Sequence, residues 1–312
     1  MPRFFVVLSS LVLLCGPAVI ASSSGDSVSS RPPLEWPVLR GPYLGQPAPG
    51  DTPRVFAPGL VSLPGTGDYA CTWSSDGREF YFTRSRSDAS GPRQEIMMSR
   101  LGKGGWTAPV PASFSTGYAA LEPHVTADGR RLYWAWARPA LEGESRGNYH
   151  IYAAERTPQG WSEAKYVGEG MFVSSSRNGD VYVTELGERN AYLTKATMRN
   201  GRFARLERIT GVVESLPPGL RNPAHPCIAP DGSYLVFDVE GGSHLFVSFL
   251  RSDGSWGPPV DLTEHGFDRG AGIASISPDG KYLFFGWQGD LYWVDAGVLA
   301  ALRPPDTKAP PR

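Results

Sequence analysis

An excess of charge of either sign is what this sequence most plainly lacks. Thirty basic residues meet 31 acidic ones in 312, a formal net charge of −1. Without a basic field, a nucleic-acid partner held through phosphate contacts is excluded. Cysteine is scarce too, with three residues, Cys15, Cys71 and Cys227. They form no Cys-x-x-Cys pair, and no His-Glu-x-x-His motif occurs, so the common metal-site signatures are missing. After the first twenty residues no apolar run approaches the roughly 20 residues that a membrane helix needs. What is abundant is turn-forming and aromatic: 37 glycines, 29 prolines and 12% aromatic residues. With 41% hydrophobic residues the chain can bury a sizeable core, so global disorder is excluded as well. That balance suits a repetitive β protein.

The first 21 residues read as an address. Arg3 precedes the apolar run Phe4 to Leu14, and small residues follow to Ala21, the pattern of a cleaved secretory signal peptide. Cys15 would invite lipidation, but Leu14 stands before it where such signals carry Gly, Ala or Ser. A periplasmic or extracellular location is expected. Residues 22–50 are Ser- and Pro-rich without hydrophobic period and read as a linker, and 303–312 as a disordered, proline-rich tail.

Residues 51–302 repeat. Asp76-Gly77, Asp128-Gly129, Asn178-Gly179, Asp231-Gly232 and Asp279-Gly280 each follow one strand-like run and precede another. The glycines are spaced by 52, 50, 53 and 48 residues. Asp-Gly and Asn-Gly supply the positive φ angles of a tight hairpin, and a period near fifty with four strands per copy marks a propeller blade. The third strands are Glu95–Ser99, Tyr149–Ala153, Ala191–Thr194, His244–Ser248 and Asp290–Val294. Trp106, Trp161, Phe203 and Trp256 then open the fourth strands of the first four copies, at a position better suited to packing between blades than to sugar stacking. The fifth copy lacks a fourth strand, and residues 53–61 resemble one. The expectation is an all-β chain, a five-bladed β-propeller of four-stranded antiparallel blades, with the ring closed by the N-terminal strand. Six blades is the alternative, although the span leaves no sequence for a sixth.

Ser277-Pro-Asp-Gly-Lys-Tyr-Leu-Phe-Phe285, followed by the strand from Asp290, resembles the TolB-type, WD-like β-propeller repeat of exported bacterial proteins. The resemblance covers about 250 of the 312 residues and implies the fold. TolB carries an additional α/β domain before its propeller, for which residues 22–50 leave no room, so its role in the envelope does not carry over.

Blade geometry places the starts of first strands and the ends of second strands on one rim. That mapping selects Tyr69, Glu122, His124, Arg221 and His225 from the former, and Arg84, Arg138, Glu185 and Asp238 from the latter. The hairpin residues Asp76, Asp128, Asn178, Asp231 and Asp279 fall on the opposite rim and are assigned to turn formation. His150 and His244 in third strands, and His265 in a loop, read as packing or solvent residues. His124 and His225 with Glu122 have no metal-ligand spacing, so no metal and no cofactor is expected. Mixed charges beside aromatic residues suit a carbohydrate or a peptide ligand, bound by a monomer at the loop-bearing rim. The alternative is a glycan-active hydrolase using Glu122, Glu185 and Asp238 as paired carboxylates across the channel. Cys71 and Cys227 fall on opposite faces of equivalent strands in non-neighbouring blades, so no disulfide is expected.

Overall fold

The hairpin residues set the architecture. In the computed structural model, Asp76, Asp128, Asp231 and Asp279 each accept the backbone N–H two residues on at 2.9–3.1 Å. The following glycines take φ of 67–78°, which residues with a Cβ rarely adopt. Ser74, Thr126 and Ser277 brace their Asp carboxylates at 2.6 Å. These Asp residues therefore serve the turns.

The structure describes residues 36–88, 91–139, 142, 149–188, 190–239 and 244–307. Val38–Arg312 forms one unit and Met1–Pro37 another; the expected signal peptide lies outside the described residues. The larger unit is a five-bladed β-propeller. The first three strands of its blades run Gly67–Trp73, Glu79–Asp88 and Gly91–Gly102 (blade 1), then Ala120–Val125, Arg131–Trp136 and His150–Thr157 (blade 2). Blade 3 has Met171–Ser175, Val181–Leu186 and Ala191–Arg199, blade 4 has Pro223–Ile228, Tyr234–Val239 and Leu245–Phe249, and blade 5 has Gly272–Ile276, Tyr282–Trp287 and Asp290–Asp295. All pairings between these strands are antiparallel. Short outer strands complete blades 1 to 4, and the longest is Arg202–Arg208 in blade 3.

Blade 5 takes its fourth strand from the other end of the chain. Arg54–Val55 pairs antiparallel with Trp293 and Tyr292, and Phe56 N–H donates to the Leu291 carbonyl at 2.7 Å. Phe56 is fully buried among Trp73, Phe80, Phe284 and Trp293, with ring centroids 5.1–6.0 Å apart. One apolar side chain thus locks blade 1 to blade 5.

Packing begins upstream of residue 51, inside the segment read as linker. Leu44 is fully buried, and Tyr43 meets the Trp73 and Tyr282 rings edge-on at 4.9 Å. Trp106 donates its indole N–H to the Gly41 carbonyl at 2.8 Å. The once-per-blade aromatics do pack between blades: Trp161 of blade 2 donates to Tyr81 of blade 1 at 2.9 Å, and Trp256 of blade 4 meets Tyr182 of blade 3 edge-on. At the other end, the start of the segment read as a disordered tail is also held. Arg303 donates to Ser233 at 3.0 Å and Thr307 bridges to Arg251.

Closure is testable. Phe56→Ala should cost about 3–5 kcal/mol in denaturant unfolding, and deletion of residues 51–62 should leave the edge of blade 5 open and drive aggregation. A stable, monomeric deletion mutant would show that the ring closes by other means.

Candidate functional site

Each inner strand carries a bulge at the same place. Register shifts occur between Tyr69 and Thr72, Leu121 and His124, Met171 and Val173, Ala224 and Cys227, and Gly272 and Ser275. At each shift one residue is left-handed: Ala70, Glu122, Phe172, His225 and Ile273, with φ of 47–58°. Each stands seven residues before its hairpin glycine. The bulge frees a backbone N–H from its own ladder, and in blades 2, 4 and 5 the preceding blade takes it up. Glu122 N–H donates to Thr83 Oγ1 at 2.8 Å and His225 N–H to Thr184 Oγ1 at 2.9 Å. Ile273 N–H donates to Asp238 Oδ2 at 2.5 Å.

The bulges bring together side chains of blades that are not neighbours. His225 of blade 4 lies between Asp238 of its own blade and Glu122 of blade 2. Its Nδ1 is 2.8 Å from Asp238 Oδ1 and its Nε2 is 3.5 Å from Glu122 Oε1. Glu122 and Asp238 are each 2% exposed, and Glu122 Oε2 has no hydrogen-bond partner. The Phe172 ring packs edge-on against His225 at 5.4 Å. Burial disfavours the imidazolium, but Asp238 and then Glu122 overcome it and push the His225 pKa up to about 10. At neutral pH His225 is therefore a cation clamped between two carboxylates.

Below this layer the channel is nearly filled. A cavity of about 50 Å³ remains, bordered among others by Cys71, Thr72, His124, Ser174, Ser175, Cys227 and Ser275, room for a few waters at most. His124 Nε2 is 2.8 Å from Ser175 Oγ, and burial lowers its pKa to about 4, leaving it neutral. Arg177 closes the hairpin side through the Pro278 carbonyl. Cys71 and Cys227 are both free and buried. Cys71 Sγ is 3.2 Å from Ser275 Oγ and Cys227 reaches the Ile276 backbone, so the thiols approach the inner strand of blade 5 from its two neighbours.

Above the layer opens a cleft of about 290 Å³ between blades 1, 4 and 5. Its floor holds His225 and Asp238, its sides the half-buried Tyr69 and Trp287, and its walls Gly270, Gly272, Gly286 and Gly289. Gly272 is required there, since a Cβ would stand 2.7 Å from Asp238 Oδ2. Asp68 also borders the cleft, buried against Arg84 at 2.7 Å. Tyr69 accepts a hydrogen bond from Gln94 at 2.6 Å, and burial together with Glu122 raises its pKa well above the ordinary phenol value.

Of the nine residues selected from sequence, Tyr69, His225 and Asp238 border this cleft, Glu122 meets His225 behind it, Arg84 supports it through Asp68, and His124 sits deeper in the channel. Three do not belong. Glu185 turns away from the channel to a two-point ion pair with Arg208 of the outer strand, at 2.7 and 3.0 Å, which holds its carboxyl below the usual range. Arg138 lies over the Tyr152 ring, 4.4 Å from its centroid. Arg221 binds the Leu216 and Glu214 carbonyls after a short helix. Of the expected paired carboxylates, Glu185 is drawn off to Arg208, and Glu122 and Asp238 meet through the imidazole of His225 that stands between them. Asp68 and Trp287 escaped sequence reasoning, and no local motif marks them. The letters Gly143-Glu-Ser145-Arg-Gly147 match a nucleophile elbow, but they fall outside the described residues. The described strands on either side, Arg131–Trp136 and His150–Thr157, are antiparallel neighbours in one blade, not the strand and helix that an elbow requires. Among the described residues no group of three or more His, Cys, Asp or Glu is placed to hold a metal.

No protein-family model and no curated protein matches this chain. Solved structures similar to it include a gluconolactonase from Xanthomonas campestris, at 14% identity and a TM-score of 0.45 over 79% of this chain and 96% of that one. A chain of a nidogen–laminin complex is similar at 14% identity and a TM-score of 0.47, over 84% and 92%. The soluble aldose sugar dehydrogenase of Escherichia coli gives 13% and 0.41, over 72% and 80%. The functional reading therefore rests on the geometry of the rim.

Two measurements check that geometry. His225 holds a proton in the folded chain that the unfolded chain, near the ordinary 6.5, releases. Its stabilisation is full below pH 6.5 and is lost as pH rises through about 10, on the order of 5 kcal/mol over that window. His225→Gln should flatten this alkaline loss in unfolding titrations. Asp238→Thr keeps an oxygen for the Ile273 N–H, as Thr83 and Thr184 do elsewhere, but removes the ion partner. The His225 resonances should then titrate at least about one pH unit lower; an unchanged midpoint would refute the clamp. The two thiols, whose pKa burial pushes up to about 12, should resist alkylation at pH 8 until the protein unfolds.

Proposed function

We propose that this chain is an exported β-propeller that binds carbohydrate in the cleft between blades 1, 4 and 5. The observation that carries the reading is the cleft itself, a glycine-walled pocket flanked by Tyr69 and Trp287 over the buried Glu122–His225–Asp238 chain. Half-buried aromatic rings offer apolar faces to the C–H side of a sugar, while ring edges and polar tips meet its hydroxyls. The glycine walls let a ligand approach the backbone closely. About 290 Å³ lies near the lower end of small-ligand sites, which suits one or two sugar rings better than a folded partner.

Binding without turnover follows from the charges. His225 is a cation at neutral pH with both ring nitrogens directed at carboxylates, so it is poorly placed to accept a proton from water or a sugar hydroxyl. The floor recognises and holds a ligand, and its carboxylate, Asp238, is engaged by His225 and the Ile273 N–H. Export rests on the leader-like residues 1–21 and on the repeat's resemblance to exported propellers.

Titration of the purified protein against a panel of neutral and charged oligosaccharides, followed by tryptophan fluorescence and calorimetry, tests the reading. Binding is expected in the micromolar to millimolar range, and Trp287→Ala should weaken it at least about tenfold while leaving the circular dichroism unchanged. Full binding by Trp287→Ala would move the site elsewhere on the ring. Turnover of a bound glycan, abolished in Glu122→Gln, would replace the binder by an enzyme.

A further inference from the structure

The charges around the cleft do not cancel. Asp68 and Arg84 neutralise each other at 2.7 Å. Two carboxyl groups, Glu122 and Asp238, face a single imidazole, His225, so a formal count with all three groups charged leaves −1 beneath the cleft. No Lys or Arg is among the residues bordering the cleft. Asp268 and Arg269, which precede Gly270 of the cleft wall in sequence, are exposed and of opposite sign. Nothing on the protein side answers the surplus: Glu122 Oε2 is buried and has no hydrogen-bond donor, and the long 3.5 Å contact to His225 serves only Oε1. An uncompensated buried carboxylate beneath a cleft raises the local affinity for positive charge, because the low-dielectric walls screen it poorly.

We propose that the cleft selects saccharides carrying a free amine over neutral ones and disfavours those carrying carboxylates. This rests on the carbohydrate reading above and names its ligand class. The ammonium group need not touch Glu122. Placed over His225 and Asp238 between Tyr69 and Trp287, it lies in the unbalanced field of the floor and against two aromatic faces, both of which favour a cation. A uronic acid in the same place would set a second anion over the Glu122 and Asp238 carboxylates, and an N-acetylated sugar would meet the cleft with neither gain nor penalty.

The test compares three disaccharide probes by calorimetry at pH 6.5: chitobiose with free amines, its diacetylated form and digalacturonate. Chitobiose is expected to bind about tenfold more tightly than the diacetylated sugar, the scale of one partly screened charge pair. Digalacturonate should bind most weakly. Raising the salt from 0.02 to about 0.5 M, where the Debye length falls to a few ångströms, should shrink the difference. Glu122→Gln should bring the affinities for chitobiose and its diacetylated form together, read as their ratio whatever the variant does to either affinity alone. Should that variant fail to fold, the salt dependence of the native protein carries the test alone. Equal affinity for the amine and acetylated forms at low salt, or a preference for digalacturonate, overturns the selectivity and leaves carbohydrate binding standing. Failure of all three probes to bind overturns both readings.

Discussion

The left-handed bulge in each inner strand is the constraint on which this propeller depends. A bulge leaves a backbone N–H outside its own ladder, and a buried N–H must find an acceptor. Here the preceding blade supplies it where a suitable side chain stands: Thr83 for Glu122, Thr184 for His225 and Asp238 for Ile273. The contact ties blade to blade near the axis, where the sheets approach most closely, and fixes which residue looks down the channel. A non-glycine residue at φ of 47–58° is strained by about 1–3 kcal/mol. Five such positions persist because neighbouring blades over-determine them.

Once every blade presents one residue to the axis, the chemistry of the centre is decided by five side chains. Three are apolar: Ala70, Phe172 and Ile273. The other two, Glu122 and His225, come from blades separated by one, so they meet only because the ring is small. Asp238 occupies the position that Thr83 and Thr184 hold in blades 1 and 3, and replaces a hydroxyl by a charge. One substitution in the acceptor position thereby serves a backbone N–H and a histidine at once, and turns a packing layer into an ionic one. Below it, the small cavity with neutral His124 and the two thiols behaves as interior.

The blades were legible in the sequence because their signal is covalent and periodic: Asp-Gly or Asn-Gly at a spacing near fifty, then an aromatic at a fixed offset. The closing strand was legible from what the last copy lacks. The rim was only half legible, and the reason is parity. Thr184 faces the next blade's bulge, so Glu185, one residue on, points to the other face and finds Arg208. Arg84 stands in the same relation to Thr83 and finds Asp68. Strand ends chosen by position alone cannot resolve that alternation across a bulge. Arg138 follows its strand and Arg221 precedes its own, so for both loop conformation decides direction. The segment from Val38 to Gly50 escaped because it docks through isolated anchors, Tyr43 and Leu44, which leave no period to read.

The pairing of Arg54–Val55 with Tyr292 and Trp293 also bears on how the molecule comes into being. Two partners nearly the whole chain apart must meet before the ring exists, and contacts of such sequence separation form late. Blades 1 to 4 can each assemble from neighbouring hairpins as they emerge, but the first strand must wait, unpaired, until the last blade arrives. During that interval Phe56 and the aromatic seam it fills are open to solvent and to other chains. The same feature that leaves the finished ring without a free end therefore makes its assembly sequential. The aggregation-exposed interval therefore lasts until blade 5 has formed.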